Sequence, residues 1–335
     1  MTTWTFDEPT REALRAFLTA RGIAPGAMVI APIGDGHSNL TFRIDIEGRA
    51  VVLRRPPPPP LPPGSNDVLR EAGFLAAVGG AGLPVPEVLA TGETGAVFDV
   101  PFYVMGMIDG VVLTETRKAP LDEAAAAPAM AEALVAAMAQ LHAIDWTRTT
   151  LAAKARPEAF NLRHFRIFRR MVDDGAGGVL PPYARVAAWL EANVPEPSGA
   201  TIIHNDLRLG NVMWAPQAPA RIAAILDWEL ATVGDPLLDL AYLVCSVPRA
   251  GATHTPVQDL SAALIAPDTP EPAALVARYF ELSGRAPADM AWYQAMVLFK
   301  LATLYRYSRL AGHDPYFIEE HEDRFLAEAA FYCRD

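Results

Sequence analysis

Asp206, Asn211 and Asp227 are the residue types that phosphoryl transfer needs, at a spacing it can use. The first two stand in His204-Asn205-Asp206-Leu207-Arg208-Leu209-Gly210-Asn211, and Asp227 follows 16 positions later in Ile225-Leu226-Asp227-Trp228. Phosphoryl transfer asks for little covalent chemistry; it needs positioning, magnesium and neutralisation of phosphate charge. A carboxylate within hydrogen-bond reach of an acceptor hydroxyl can take its proton as the bond to phosphorus forms, and Asp206 is the candidate. Magnesium prefers hard oxygen ligands, which the Asn211 amide and the Asp227 carboxylate supply. Asp227 follows the apolar run Ile222-Ala223-Ala224-Ile225-Leu226, so it leaves the end of a buried strand. Taken singly, Asp206 reads as a loop acid satisfied by amides, Asn211 as a turn residue and Asp227 as a strand cap. Their combination at these spacings outweighs those readings. His204 reads as a brace for the loop backbone.

A phosphate-holding set lies upstream. Gly34-Asp35-Gly36-His37-Ser38-Asn39 falls between two predicted strands. Glycines permit close backbone approach and exposed amides can hold phosphate oxygens, which makes Gly34, Gly36 and Ser38 candidates. A bare hairpin turn accounts for the same residues. Arg54 ends a predicted strand, where its planar fork could bind phosphates bidentately and pair with Glu71. Arg55 faces the other way, and one of the two is expected to be a solvent-facing strand arginine.

The elements that must position these residues follow from pattern. Residues 8 to 20 predict a helix capped by Asp7, with Pro9 tolerated in its first turn. Met28 to Ile33 predicts a strand. Asn39 to Ile46 alternates Leu40, Phe42, Ile44 and Ile46 with polar residues, the period of a half-buried strand. Glu47-Gly48-Arg49 turns into the strand Ala50 to Arg54. The prolines from Pro56 to Pro63 cannot join a ladder and read as a stiff connector. A helix from about Asp67 to Val78 carries Glu71, and Glu87 to Thr91 and Val97 to Met105 predict further strands. From Leu121 the chain reads as helices joined by loops, with a strand-loop-strand insert at about 201 to 227. The expected architecture is α+β and bilobal: a small β-rich lobe with helices, 1–104, a link near 105–112, and a larger mainly helical lobe, 105–335.

Bulk properties narrow the function. The chain has 335 residues, 51% hydrophobic and 20% charged, with a net charge of -11. That is enough chain for two cores. The acidic balance argues against a nucleic-acid partner, which needs clustered Lys and Arg. Cys245 and Cys333 offer neither a disulfide framework nor a metal pair, which suits a reducing cytoplasm. The first residues lack the pattern of a signal peptide, and no apolar run reaches the roughly 20 residues of a membrane helix.

The motifs occur in the order of a known family. A His-x-Asp, an Asn five positions after the Asp and a later Asp form the protein-kinase skeleton. His204 to Val212 resembles the catalytic loop of the aminoglycoside phosphotransferase and choline kinase superfamily, which has a protein-kinase-like bilobal fold. Leu226-Asp227-Trp228-Glu229 resembles its metal-binding motif, and Gly234 to Tyr242 the segment that follows. The resemblance implies that Asp239 braces the catalytic loop from a helix start. It implies that Phe102-Tyr103-Val104-Met105-Gly106-Met107 enters a hinge whose backbone, at Met105 and Met107, meets adenine. Leu141-His142 is similar to a helix-end pair of the family. The resemblance covers about residues 28 to 245 and implies ATP and Mg2+ as cofactors, with ATP between the lobes.

A narrower resemblance rests on Leu53-Arg54-Arg55-Pro56, Arg70-Glu71, Leu207-Arg208-Leu209 and Leu226-Asp227-Trp228-Glu229-Leu230. These are similar to phosphotransferases associated or fused with acyl-CoA dehydrogenases. That subgroup implies Arg54 in the place of the kinase lysine, a hydroxy acid or hydroxyacyl-CoA as acceptor, and an acyl-CoA dehydrogenase as functional partner. The chain departs from the family at Asn205, usually Gly, and at Gly106, commonly Glu.

Between Asp227 and Asp235 there is little room for an activation segment, which favours a small-molecule acceptor over a protein. Candidate acceptor residues are Arg208, Glu229, Arg163, His164 and Arg309. Arg163, His164, Arg166, Arg169 and Arg170 share a predicted helix that would suit a phosphate or carboxylate; a solvated basic face accounts for them equally. The expected function is an ATP- and magnesium-dependent small-molecule O-phosphotransferase. Aminoglycoside, sugar or amino-alcohol kinases, and a non-catalytic nucleotide-binding regulator, remain as alternatives.

Overall fold

The computed structural model describes residues 6–23, 26–33, 39–58, 66–312 and 318–334. By contact the chain divides into two compact units, Met1–Asp109 with Ala224–Glu229, and Gly110–Ala223 with Leu230–Asp335. The first break falls at 109/110. The six residues that return to the first unit come from far downstream.

The first unit is built on an antiparallel sheet. Its elements are α1 (Glu8–Thr19), β1 (Met28–Pro32), β2 (Leu40–Ile46), β3 (Arg49–Arg55), α2 (Val68–Gly80), β4 (Val88–Gly92) and β5 (Phe102–Gly106). The strand order is β1-β2-β3-β5-β4. Asp7 caps α1 by accepting from the Thr10 amide at 3.0 Å. Side chains alternate faces along a strand, so β2 sends Phe42, Ile44 and Ile46 inward, where they meet Val51, Leu53, Phe102, Leu14 and Leu18 in one core. The register Thr41↔Arg54 sets Arg54 at the end of β3.

The strand expected from Val97 begins only at Phe102. Pro101 lacks a backbone donor, and Phe98 and Val100 enter the core instead of extending the ladder. Helix α2 is capped by Asp67, whose carboxylate accepts from the Arg70 amide at 3.0 Å. It buries Val68, Ala72, Phe74, Leu75 and Val78, and with them the acid Glu71. The returning segment is tied to this unit by the Ile225 amide, which donates to Pro84 O at 2.8 Å. Trp228 is fully buried and its indole N–H donates to Ile225 O at 3.1 Å.

The second unit comprises β6 (Val111–Val112), α3 (Ala126–His142), α4 (Phe160–Met171), α5 (Ala184–Ala192), β7 (Thr201–Ile203), β8 (Val212–Trp214), β9 (Ile222–Ile225), β10 (Thr232–Gly234), α6 (Pro236–Ser246), α7 (Pro256–Asp259), α8 (Pro272–Ser283), α9 (Ala291–Ala311) and α10 (Glu319–Tyr332). The last two residues of β9 fall in the first unit. Strands β7 and β10 pair antiparallel, Ile203 opposite Thr232, and the chain leaves β7 directly into the 204–211 loop. A short 3-10 turn at Trp228–Leu230 and β10 fill the space from Asp227 to Asp235, so no activation segment intervenes. Every residue of α6 is buried, as is α9 from Ala295 through Thr303. No helix among the described residues is long and apolar enough to cross a membrane.

Asp235 fixes the start of α6. Its buried carboxylate accepts from the Leu237 amide at 3.1 Å, the Ser198 amide at 2.9 Å, Asn161 Nδ2 at 2.9 Å and the Tyr293 hydroxyl at 2.9 Å, and also from the Ser198 hydroxyl. One helix cap therefore ties α6 to α4, to α9 and to the approach to β7. Removing an acceptor from several buried donors costs about 3 kcal/mol or more. Asp235→Ala is expected to lower the urea unfolding free energy by about that amount; an unchanged midpoint would contradict the role.

Candidate active site

The 204–211 loop is held from below by α6. Asp239, with no solvent exposure, accepts the His204 amide at 2.6 Å and the Asn205 amide at 2.5 Å. His142, at the end of α3, meets the same carboxylate through Nε2 at 3.3 Å and the Tyr279 hydroxyl through Nδ1 at 2.7 Å. A carboxylate only accepts, so Nε2 carries a proton. Burial works to raise the Asp239 pKa, but the His142 and backbone hydrogen bonds outweigh it and hold the acid below its ordinary value.

These bonds force the loop into an unusual conformation. Asn205 has φ +70°. Non-glycine residues pay for that region, and Asn tolerates it best among them. This explains both why glycine suits the position and why Asn can replace it. The Asn205 side chain also works: Nδ2 donates to Leu230 O at 3.3 Å and Oδ1 accepts from Lys300 at 2.9 Å.

The next residue is Asp206, whose side chain keeps about a fifth of its exposure. Its carboxylate is hydrogen-bonded by Tyr242 of α6, approached by Arg208 Nε at 3.8 Å, and accepts from Asn211 Nδ2 at 2.8 Å. Asn211 Nδ2 also donates to Asp206 O at 2.8 Å. A carboxylate cannot donate, so the amide nitrogen must face Asp206 and Oδ1 is turned the other way. The loop thus presents one partly exposed carboxylate and one oriented amide oxygen, each fixed by several bonds.

The first unit holds the other set. Arg54 reaches Glu71 through Nε at 3.0 Å, Asp227 through Nη2 at 3.1 Å and Glu229 through Nη2 at 3.6 Å. Burial alone would lower the Arg54 pKa, but the surrounding carboxylates raise it above its ordinary value. Burial pushes Glu71 up to about 7, against the pull of Arg54 and with help from Asp227 and Glu229. Tyr103 hydrogen-bonds Glu71, and burial first, then that acid, push its own pKa well up. Asp227 stands at φ +63°. Arg70 Nη1 donates to Glu229 O at 3.2 Å, and Asn39 Nδ2 reaches Glu229 Oε2 at 3.5 Å. Asn39 is in turn hydrogen-bonded by Asn66 at 3.0 Å.

The remaining candidates are distributed differently. Gly34, Gly36 and Ser38 lie outside the described residues. Met105 pairs with Val52 and Val88 in the sheet, and Met107 is exposed just past β5. A Cβ at Gly106 would meet nothing within 4 Å, so a larger residue has room there. Arg55 is half-buried, with its guanidinium over the Phe98 ring at 4.8 Å. On α4, His164 is buried between Phe160 and Phe168, and burial lowers its pKa to about 3. Arg163 turns to the backbone carbonyls of Arg156 and Glu158, Arg169 to Gly177 O, and Arg170 to Arg166 O. These groups converge on no common point. Arg309 is joined to the buried Glu322 at 2.8 Å, and Arg306 reaches the same acid. Tyr242, Tyr103 and Lys300 make contacts that the motif reading does not assign. Tyr242 lies three residues after Asp239, on the same helix face, and that spacing was the available signal.

Glu71 yields a pH prediction. Its folded pKa, about 7, lies above its ordinary 4.5. Its contribution to stability is therefore complete below about pH 4.5 and is lost as the pH rises through about 7. Glu71→Gln is expected to remove that slope, so the thermal midpoints of wild type and variant diverge between pH 4.5 and 8 with the variant relatively more stable at the alkaline end. Parallel curves would refute the assignment.

The chain is similar to known proteins in sequence and in fold. Residues 29–293 match the model of a phosphotransferase enzyme family. The chain is 36% identical over 221 residues to acyl-CoA dehydrogenase family member 11 of Gallus gallus, covering 65% of this chain and 28% of that protein. It is 31% identical over 221 residues to acyl-CoA dehydrogenase family member 10 of Mus musculus, covering 65% of this chain and 20% of that one. The chain thus spans under a third of the curated relatives it matches. Among solved structures, a putative aminoglycoside phosphotransferase from Ralstonia eutropha superimposes with a TM-score of 0.79 at 24% identity, over 98% of both chains. Choline kinase from Cryptosporidium parvum gives a TM-score of 0.63 at 13% identity, over 96% of this chain and 95% of that one. The fold is the kinase-like one of these neighbours, and the chain belongs to the phosphotransferase enzyme family.

Proposed function

We propose that the chain transfers the γ-phosphoryl group of ATP to a hydroxyl of a small molecule, with Asp206 as base. The observation that carries this reading is the loop geometry. Asp206 is partly exposed, anchored by Tyr242 and Asn211, and follows a backbone pinned by Asp239. Its carboxylate would accept the acceptor's proton while the acceptor oxygen bonds to phosphorus and ADP leaves.

Asn211 and Asp227 fit magnesium chemically. The Asn211 Oδ1 is oriented by two bonds to Nδ2, and Asp227 has one oxygen on Arg54 and an exposed side chain. Two protein ligands suffice for an ion that keeps waters and phosphate oxygens as its others. Magnesium would neutralise charge building on the phosphates. For Arg54, phosphate binding would exchange the Asp227 and Glu229 partners of Nη2 and leave the Nε pair with Glu71.

The acceptor we infer is a hydroxy acid or a hydroxyacyl-CoA, processed in the cytoplasm together with an acyl-CoA dehydrogenase. Support comes from the names of the curated relatives and from the cation beside Asp206, Arg208. The direct run from Asp227 to α6 disfavours a protein acceptor. A second reading, an aminoglycoside or amino-alcohol kinase, draws on the solved neighbours, one of which is in ternary complex with AMP-PNP and hygromycin B. Thermal shift with Mg-ATP and a panel of hydroxy acids, their CoA thioesters, aminoglycosides and amino alcohols separates the two.

Asp206→Ala is expected to cut turnover by at least about 10²-fold with Mg-ATP affinity within about twofold of wild type. Equal turnover would remove Asp206 from the role of base. Asp227→Ala is expected to weaken Mg-ATP binding about tenfold or more while metal-free ATP binding is unchanged; identical calorimetric titrations would end the metal assignment.

A further inference from the structure

Lys300 lies in the middle of α9, only 2% exposed, in the otherwise apolar run Met296-Val297-Leu298-Phe299-Lys300-Leu301. A buried ammonium is costly unless its protons are used. Here Nζ donates to Asn205 O at 2.7 Å and to Asn205 Oδ1 at 2.9 Å, and sits 5.4 Å from the Tyr242 ring centroid. Asn205 O belongs to the peptide that leads into Asp206. Asp239 holds the N–H of Asn205 and Lys300 holds its C=O, so the residue at φ +70° is clamped on both sides.

We propose that Lys300 is a positioning residue for the phosphotransfer base: through Asn205 it fixes the peptide entering Asp206 and sets a buried positive charge behind that carboxylate. The role rests on Asp206 being the base. The titratable groups that face it are Asp206 on the loop, Asp239 and Tyr242 on α6, and His164 on α4. Burial lowers Lys300 to about 8, while Asp206 and Asp239 pull it up. Its charge-assisted bonds are therefore complete below pH 8 and weaken as the pH rises through it. His164, driven to about 3, stays neutral beside it.

The test combines amide hydrogen exchange of the 203–207 peptide with steady-state Mg-ATP hydrolysis, in wild type, Lys300→Met and Lys300→Arg. Lys300→Met is expected to exchange the loop peptide at least about tenfold faster at pH 7 while α6 peptides stay protected. Its kcat should fall about tenfold with KM for Mg-ATP within about twofold. In wild type, loop protection, corrected for intrinsic exchange, and kcat should both decline with a midpoint near pH 8. Lys300→Arg, which keeps its charge, should lose that limb. Wild-type exchange and kcat in Lys300→Met would overturn the proposal, as would a wild-type limb surviving in Lys300→Arg. If Lys300→Met does not fold, the arginine variant decides. Absence of all phosphoryl transfer in wild type would defeat the function proposed above, and the exchange data would still decide whether Lys300 holds the loop.

Discussion

The second unit depends on one buried anion. Asp239 accepts two consecutive backbone amides, from His204 and Asn205, and is closed off on its other side by His142. An unpaired carboxylate in that position would be prohibitively expensive, so each donor is needed to hold the acid there. The requirement spreads outward. His142 is steadied by Tyr279 of α8, and Asp239 stands where it does because Asp235 caps α6 with five donors of its own. The strained φ of Asn205 exists because surrounding bonds over-determine it, which is the condition under which such backbone persists at working sites.

The first unit inverts this design. There the buried centre is a cation, Arg54, and the groups around it are carboxylates. Glu71 is the inner one and stays on Nε, nearly excluded from solvent; Asp227 and Glu229 are the outer ones and keep about a third of their exposure. An arginine cannot lose its proton under such conditions, where a lysine could. Burial raises the Glu71 pKa to about 7, so uptake of a proton there eases the excess of negative charge. The unit therefore carries a cation that never switches and an acid that does.

Much of this could be read from residue order. The period-two pattern of β2 and the turn at Gly48 gave the sheet, and Asp7 and Asp67 gave the caps, because these rules are local. Asp206, Asn211 and Asp227 could be singled out because the chemistry restricts both their types and their spacing. What could not be read depends on contacts between distant residues. Lys300 lies 95 residues from Asn205, inside a run whose pattern says only that the helix is buried. The reading that one of Arg54 and Arg55 faces solvent lacks Phe98, which reaches Arg55 from a segment that leaves the ladder before Pro101. The basic residues of α4 share a helix, as expected, yet its amphipathic turn puts His164 among aromatics and sends the arginines to separate carbonyls.

The return of Ala224–Glu229 to the first unit has a consequence for how the molecule comes into being. On a ribosome the sheet of residues 28–106 emerges long before the segment that completes it. Until then Pro84 O lacks the Ile225 amide, and Arg54 has Glu71 but neither Asp227 nor Glu229. The first unit therefore cannot finish folding vectorially; it must wait for more than a hundred residues of the second unit to be made, a long loop to close at an entropic cost. The same topology means that no single cut of the chain frees a whole first unit from the second. A split at residue 109 leaves it without its last acids, and they remain covalently part of the other fragment.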